Sequence, residues 1–155
     1  YLDVGIEWDL ECLPVHIIPL LLVVRSLSCQ FIYGKKMKDL LENNQCHTKS
    51  MTLWTNFWDD FDLLKSDLRG REIARQLTRS AGSISANIEE GLGRGFGKEY
   101  MQFLRYSRGS ARESRGWYLR GQLLLPKDVV KERILLLDEI ISMQNGIIKS
   151  IERKL

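Results

Sequence analysis

The residues best equipped to do chemistry in this 155-residue chain are arginines, and their spacing is not random. At 100° per residue, Lys98, Arg105, Arg108, Arg112 and Arg115 fall within roughly a quarter of a helix circumference. Phe96, Tyr100, Phe103, Ser107, Ser110, Ser114, Tyr118 and Gly121 take the opposite side. Upstream, Arg71, Arg75 and Arg79 follow one another at i,i+4, with Ile73, Leu77, Ala81, Ile84 and Ile88 turned away from them. Arg94 and Lys98 flank a turn with four glycines, Gly91, Gly93, Gly95 and Gly97. Guanidinium groups fork onto phosphate oxygens and stack on bases, so a one-sided row of them suits a phosphodiester backbone.

Other chemistries find less support. A glycine-rich turn before a helix can cradle a nucleotide, but a dinucleotide fingerprint needs glycine where Phe96 stands. A P-loop ending at Gly97-Lys98 needs glycine at Leu92 and Ser or Thr at Glu99. His47 follows Cys46 directly, and neighbours on a helix point about 100° apart, which does not make a metal pair. A di-metal bundle site needs Glu-x-x-His, whereas Leu13 and Asn44 precede His16 and His47 by three. Glu89, Glu90 and Glu113 read as helix-end and interhelical pairing groups, with Asn87 and Glu90 helping to end the second helix. No catalytic residue, metal or cofactor is expected. Cys12, Cys29 and Cys46 form an odd set without CxxC, which fits a reduced cytoplasmic chain.

Four helices must carry these residues. The first spans about Asp39 to Ser66, where Met51, Trp54, Trp58 and Phe61 make an aromatic stripe expected in the core. The second covers Leu68 to Glu90, with the turn following from Gly91 to Gly97. The third runs from Lys98 to about Leu125, and Gly109 and Gly116 on its arginine side imply close approach of a helix or a nucleic-acid strand. Pro126 opens the fourth, whose Val130, Ile134, Leu137, Ile141, Gln144, Ile148, Ile151 and Leu155 form a heptad seam with one polar member. No strand pattern competes after residue 35, so the fold class is all-α, with a bundle domain over 36–155.

Residues 1–35 read as an atypical extension of uncertain structure. The apolar run Val15 to Val24 is too short to span a bilayer, and acidic Asp3, Glu7, Asp9 and Glu11 precede it where a secretory signal is positive. No membrane association is expected. The formal charge is +3, but residues 1–34 set one arginine against four acidic side chains, so the remainder is more basic than the total suggests.

The run from Gln76 to Gly91, with its Ser83-Ile84-Ser85-Ala86-Asn87-Ile88-Glu89-Glu90-Gly91 core, resembles the helical proteins encoded by intervening sequences in large-subunit ribosomal RNA genes. A second block, Gly97 to Leu104 and Gly109 to Glu113, continues the resemblance, which covers roughly residues 50–155. Glu89 stands where the family usually has alanine, and Arg112 and Arg115 add charge to a helix that is often more acidic in relatives. The resemblance implies an antiparallel up-down four-helix bundle assembling as a ring-like homopentamer. It also extends to the accessory variability determinant of diversity-generating retroelements, whose members bind RNA and a reverse transcriptase. Two functions follow. The first is a non-enzymatic nucleic-acid-binding oligomer, for RNA before DNA, with a reverse transcriptase as a partner. The alternative is a structural or adaptor oligomer whose arginines pair with a neighbouring subunit or protein, Asp59, Asp60 and Asp62 being the candidate acids.

Overall fold

The computed structural model describes Leu41 and residues 43–155, which belong to one compact unit running from residue 40 to residue 155. The expectations for residues 1–35, Cys12 and Cys29 included, lie outside the described residues. Four long helices make up the unit: α1 (Gln45–Leu64), α2 (Leu68–Arg94), α3 (Lys98–Arg120) and α4 (Lys127–Glu152). Each of α1 and α2 starts on a side-chain cap. The Asn44 carboxamide oxygen accepts the His47 N–H, and the Asp67 carboxylate accepts those of Arg69 and Gly70. Asn44 thus fixes the start of α1 at Gln45, later than the expected start near Asp39.

The core is a continuous apolar column. Leu53, Phe57 and Leu64 of α1 meet Leu77, Ala81, Ile84 and Ile88 of α2, Leu104, Ala111 and Tyr118 of α3, and Leu137, Ile140 and Ile148 of α4. At about 1.5–3 kcal/mol per large apolar side chain, this burial is the main term holding the helices together. The α1 stripe that goes inside is not the one expected. Met51 is 38% exposed and Trp58 47%, while Trp54 and Phe61 are half-buried. The buried row is displaced by about a quarter-turn to Cys46, Ser50, Leu53, Phe57, Asp60 and Leu64. Smaller side chains pack nearer the bundle axis, and the indoles are pushed towards the α1–α2 edge, where Trp54 lies against Gly82.

The second helix also outruns its expected end. Gly91 to Arg94 are helical, and the chain breaks only at Gly95 and Gly97, whose φ of 116° and 97° suit glycine alone. Asn87 and Glu90 therefore do not terminate α2: Asn87 donates back to the Ser83 carbonyl and Glu90 pairs with Arg94 inside the helix. Gly91 is there for packing, since a Cβ would come 2.7 Å from that of Phe103. The third helix stops at Arg120, short of Leu125. On α4 the heptad seam holds apart from Leu155, 66% exposed, and it widens to include Ile140 and the buried Arg133.

Polar groups stitch neighbouring helices, and where two helices share two such contacts the partner numbers run in opposite directions. His47 meets Glu89 at 2.7 Å, which gives the glutamate at the usual alanine position a structural job. Ser107 donates to the Ile84 carbonyl at 2.6 Å and Ser114 to the Ser80 hydroxyl at 2.8 Å. Lys49 pairs with Glu139, and Asp60 with Arg133.

Candidate nucleic-acid interface

The arginines of α3 leave the bundle together, as their spacing predicts, but most are already held. Arg105 donates to Glu152 at 2.9 Å and Arg108 to the Asn145 carboxamide oxygen at 2.6 Å. Arg115 forks onto Asp138 at 2.7 and 3.3 Å, and that carboxylate raises its pKa further above the ordinary arginine value. All three reach across to α4 of the same chain. Arg112, exposed and between them, makes no hydrogen bond or ion pair with the described residues. It lines two adjoining grooves, of about 390 and 360 Å³, that meet at Gly116.

Gly109 and Gly116 sit on this surface. Nothing among the described residues lies within 4 Å of where a Gly109 side chain would begin, so none of the four helices uses that opening. Over Gly116 the Arg120 guanidinium folds back, and it also stacks on the Trp117 ring, 4.9 Å from its centroid. The spacing argument missed Arg120, although it stands eight residues past Arg112 on the same helix side and three past Trp117. On α4, Lys149 and Arg153 flank Glu152 at a further groove of about 410 Å³. The α3–α4 face is therefore a field of guanidinium and ammonium groups with fewer carboxylates.

The remaining predicted residues lie elsewhere. Arg71, Arg75 and Arg79 border a separate groove between α1 and α2 with Phe61 and Lys65. Arg71 donates to the Lys65 carbonyl at 3.0 Å and Arg75 forks onto Glu72, while the Arg79 guanidinium makes no hydrogen bond or ion pair with the described residues. Arg94 pairs with Glu90 and lies 5.1 Å from the Phe103 centroid. Exposed Lys98 opens α3 beside the glycine turn. The nine side chains thus form three surfaces rather than one.

Among the described residues one arginine is buried, and no spacing argument named it. Arg133 donates through Nε and Nη2 to both Asp60 oxygens at 2.9 and 3.2 Å, and the Tyr118 hydroxyl donates to the same carboxylate at 2.8 Å. Burial alone would lower the Arg133 pKa, but Asp60 more than offsets it and the guanidinium stays charged. Burial, then the Asp60 charge, drives the Tyr118 hydroxyl far above its ordinary range. Asp60, 1% exposed, is thereby removed from the acids available to a neighbouring subunit, and Asp62 pairs with Lys65. The polar member of the heptad seam is likewise internal: Gln144 donates to the Ser107 hydroxyl at 2.6 Å. Among the described residues no cluster of three metal-ligating side chains occurs, and no helix is long and apolar enough to cross a membrane.

Four helices around one column, with cationic grooves on the outside, define an all-α helical-bundle protein. The chain belongs to the family of 23S rRNA-intervening sequence proteins, whose model matches residues 42–146. Its fold is similar to the crystal structure of a protein of unknown function from the S23 ribosomal protein family of Bacteroides thetaiotaomicron. The two share 20% identity with a TM-score of 0.63, over 67% of this chain and 98% of the other. No curated protein matches it.

Proposed function

We propose that this is a non-enzymatic, cytoplasmic nucleic-acid-binding protein, for RNA before DNA, that takes the phosphate backbone of a structured RNA on its α3–α4 face. The observation that carries this is Arg112. An exposed guanidinium without a partner among the described residues stands where two grooves meet, with Arg115, the Arg120 guanidinium folded over Gly116 and the open backbone of Gly109 on the same surface. Phosphates can approach such a ridge more closely than they can a helix covered by long side chains, and each neutralised phosphate releases counterions.

The bundle is further proposed to be antiparallel and up-down, in keeping with the opposed numbering of its cross-helix pairs, and to assemble as a homopentameric ring. Leu119, Leu123 and Leu135, exposed at 40, 91 and 60%, supply apolar surface for such an assembly. An accessory role beside a reverse transcriptase belongs to the same reading. The experiment is affinity for a structured RNA across a salt series, with the Arg105, Arg108, Arg112 triple charge reversal. Weakened binding with a shallower salt dependence is the expected result, and unchanged binding overturns the proposal. The adaptor reading is favoured by a different fact: Arg105 and Arg115 already satisfy carboxylates. It predicts that the same triple reversal changes the native mass instead.

A further inference from the structure

We infer that the α1–α2 groove is a second nucleic-acid surface, one that takes a single-stranded segment and stacks an unpaired base on Trp58. This rests on the reading of the protein as an RNA binder but concerns a different side of the bundle. Phe61 lines the groove with Lys65, Arg71, Arg75 and Arg79, and Trp54 lies over Gly82, the next turn of α2. Trp58 stands between Phe61 and Trp54 on α1, meeting their rings edge-on at 5.8 and 5.2 Å, and so adjoins the groove through Phe61, which lines it with Arg79. Edge-on support on both sides fixes the indole while leaving it 47% exposed.

The protein's own cations do not cover this ring. Arg94 stacks on Phe103 and Arg120 on Trp117, yet no guanidinium among the described residues lies over Trp58 or Phe61. Of the four cations along the groove, Lys65 and Arg75 are neutralised by Asp62 and Glu72. Arg71 holds only a backbone carbonyl, and the Arg79 guanidinium stands free of the described residues. A half-open indole adjoining a groove with two uncompensated guanidiniums, about two helical turns apart, matches what a single strand offers: a base with an exposed face and phosphates at either side. A duplex hides its base faces and would gain only the charge term. An apolar protein segment would gain the ring but leave both guanidiniums without counter-charge.

The test uses the full chain and fluorescein-labelled oligouridylate, against an RNA duplex of equal length, read by anisotropy over a salt series. Trp58→Ala is expected to weaken oligouridylate binding about tenfold with little change for the duplex, and Trp58→Phe to restore most of it. Arg71→Glu with Arg79→Glu is expected to lower the single-strand salt slope by about 1.4. Should Trp58→Ala lower the melting temperature, the exposed arginine pair decides alone. If oligouridylate binds these variants as it binds the parent while Arg112→Glu weakens structured RNA, this inference falls and the α3–α4 reading stands. If neither RNA binds the parent at low salt, both fall. If the variants change only the native mass, the groove is a protein interface and the inference is overturned.

Discussion

Asp60 illustrates at the residue level how the interior of this bundle is specified. Its carboxylate serves Arg133 and Tyr118 at once, joining α1, α3 and α4 at a single point. Asp60→Ala takes the buried partner from a guanidinium that is 6% exposed and leaves it only the exposed Glu132 as an ion-pair partner, so urea unfolding should show a loss of about 3 kcal/mol. Replacing Asp60 and Arg133 together by apolar residues of similar volume should cost much less, because the stranded charge goes with them. Cys46 is a second internal marker. Burial pushes its thiol up to about 11, so at neutral pH it should resist alkylation in the folded protein and react on unfolding, as peptide mass mapping would show. None of this was readable from spacing. An aspartate at the end of an aromatic helix looks like a surface acid, and only the convergence of three helices reveals its partners.

The helices themselves were far more legible, because apolar periodicity depends on local geometry alone. The inward rows of α2 and α4 fall close to where their period puts them, from Leu77 to Ile88 and from Val130 to Ile148. What periodicity could not resolve was size. Trp54 and Trp58 satisfy the pattern as well as Leu53 and Phe57 do, but an indole does not fit where helix axes come close. The glycines divide in the same way. Gly91→Ala forces a Cβ against Phe103 and should destabilise by about 1–3 kcal/mol, whereas Gly109→Ala meets open space inside a helix and should stabilise by about 1 kcal/mol. Thermal melts of the two variants would distinguish a packing glycine from one kept for something outside the subunit. Helix ends carry the acid sensitivity. Hydrogen bonds from Arg75, then Gln76, hold Glu72 at about 2, and the Arg69 side chain, then the Arg69 and Gly70 amides, hold Asp67 lower still. Both folded-state values lie below the ordinary carboxylate range, so their stabilisation is complete above about pH 5 and is lost as the pH falls, through about 2 for Glu72 and lower still for Asp67. Glu72→Gln and Asp67→Asn should each flatten that acid limb of the stability curve.

For the whole molecule, the arrangement of charge matters more than its sum. A formal +3 conceals an α3–α4 face on which Arg105 and Arg115 are engaged by Glu152 and Asp138, with Arg108, Arg112 and Arg120 around them. Those two ion pairs lie at the surface, with side-chain exposures between 36 and 49%, where such a pair contributes about 0–1 kcal/mol. The carboxylates are thus weak structural elements, but they compete directly with any phosphate for the same two guanidiniums. Asp138→Asn with Glu152→Gln should therefore leave the melting temperature nearly unchanged while raising affinity for structured RNA. The gain should be largest at low salt, where exposed charges are least screened, and the salt slope should steepen by up to two phosphates' worth. Should the double variant bind RNA no better than the parent, the α3 arginines serve the bundle's own surface and not a polyanion. A changed native mass in the same variant would instead place those carboxylates at a contact between subunits.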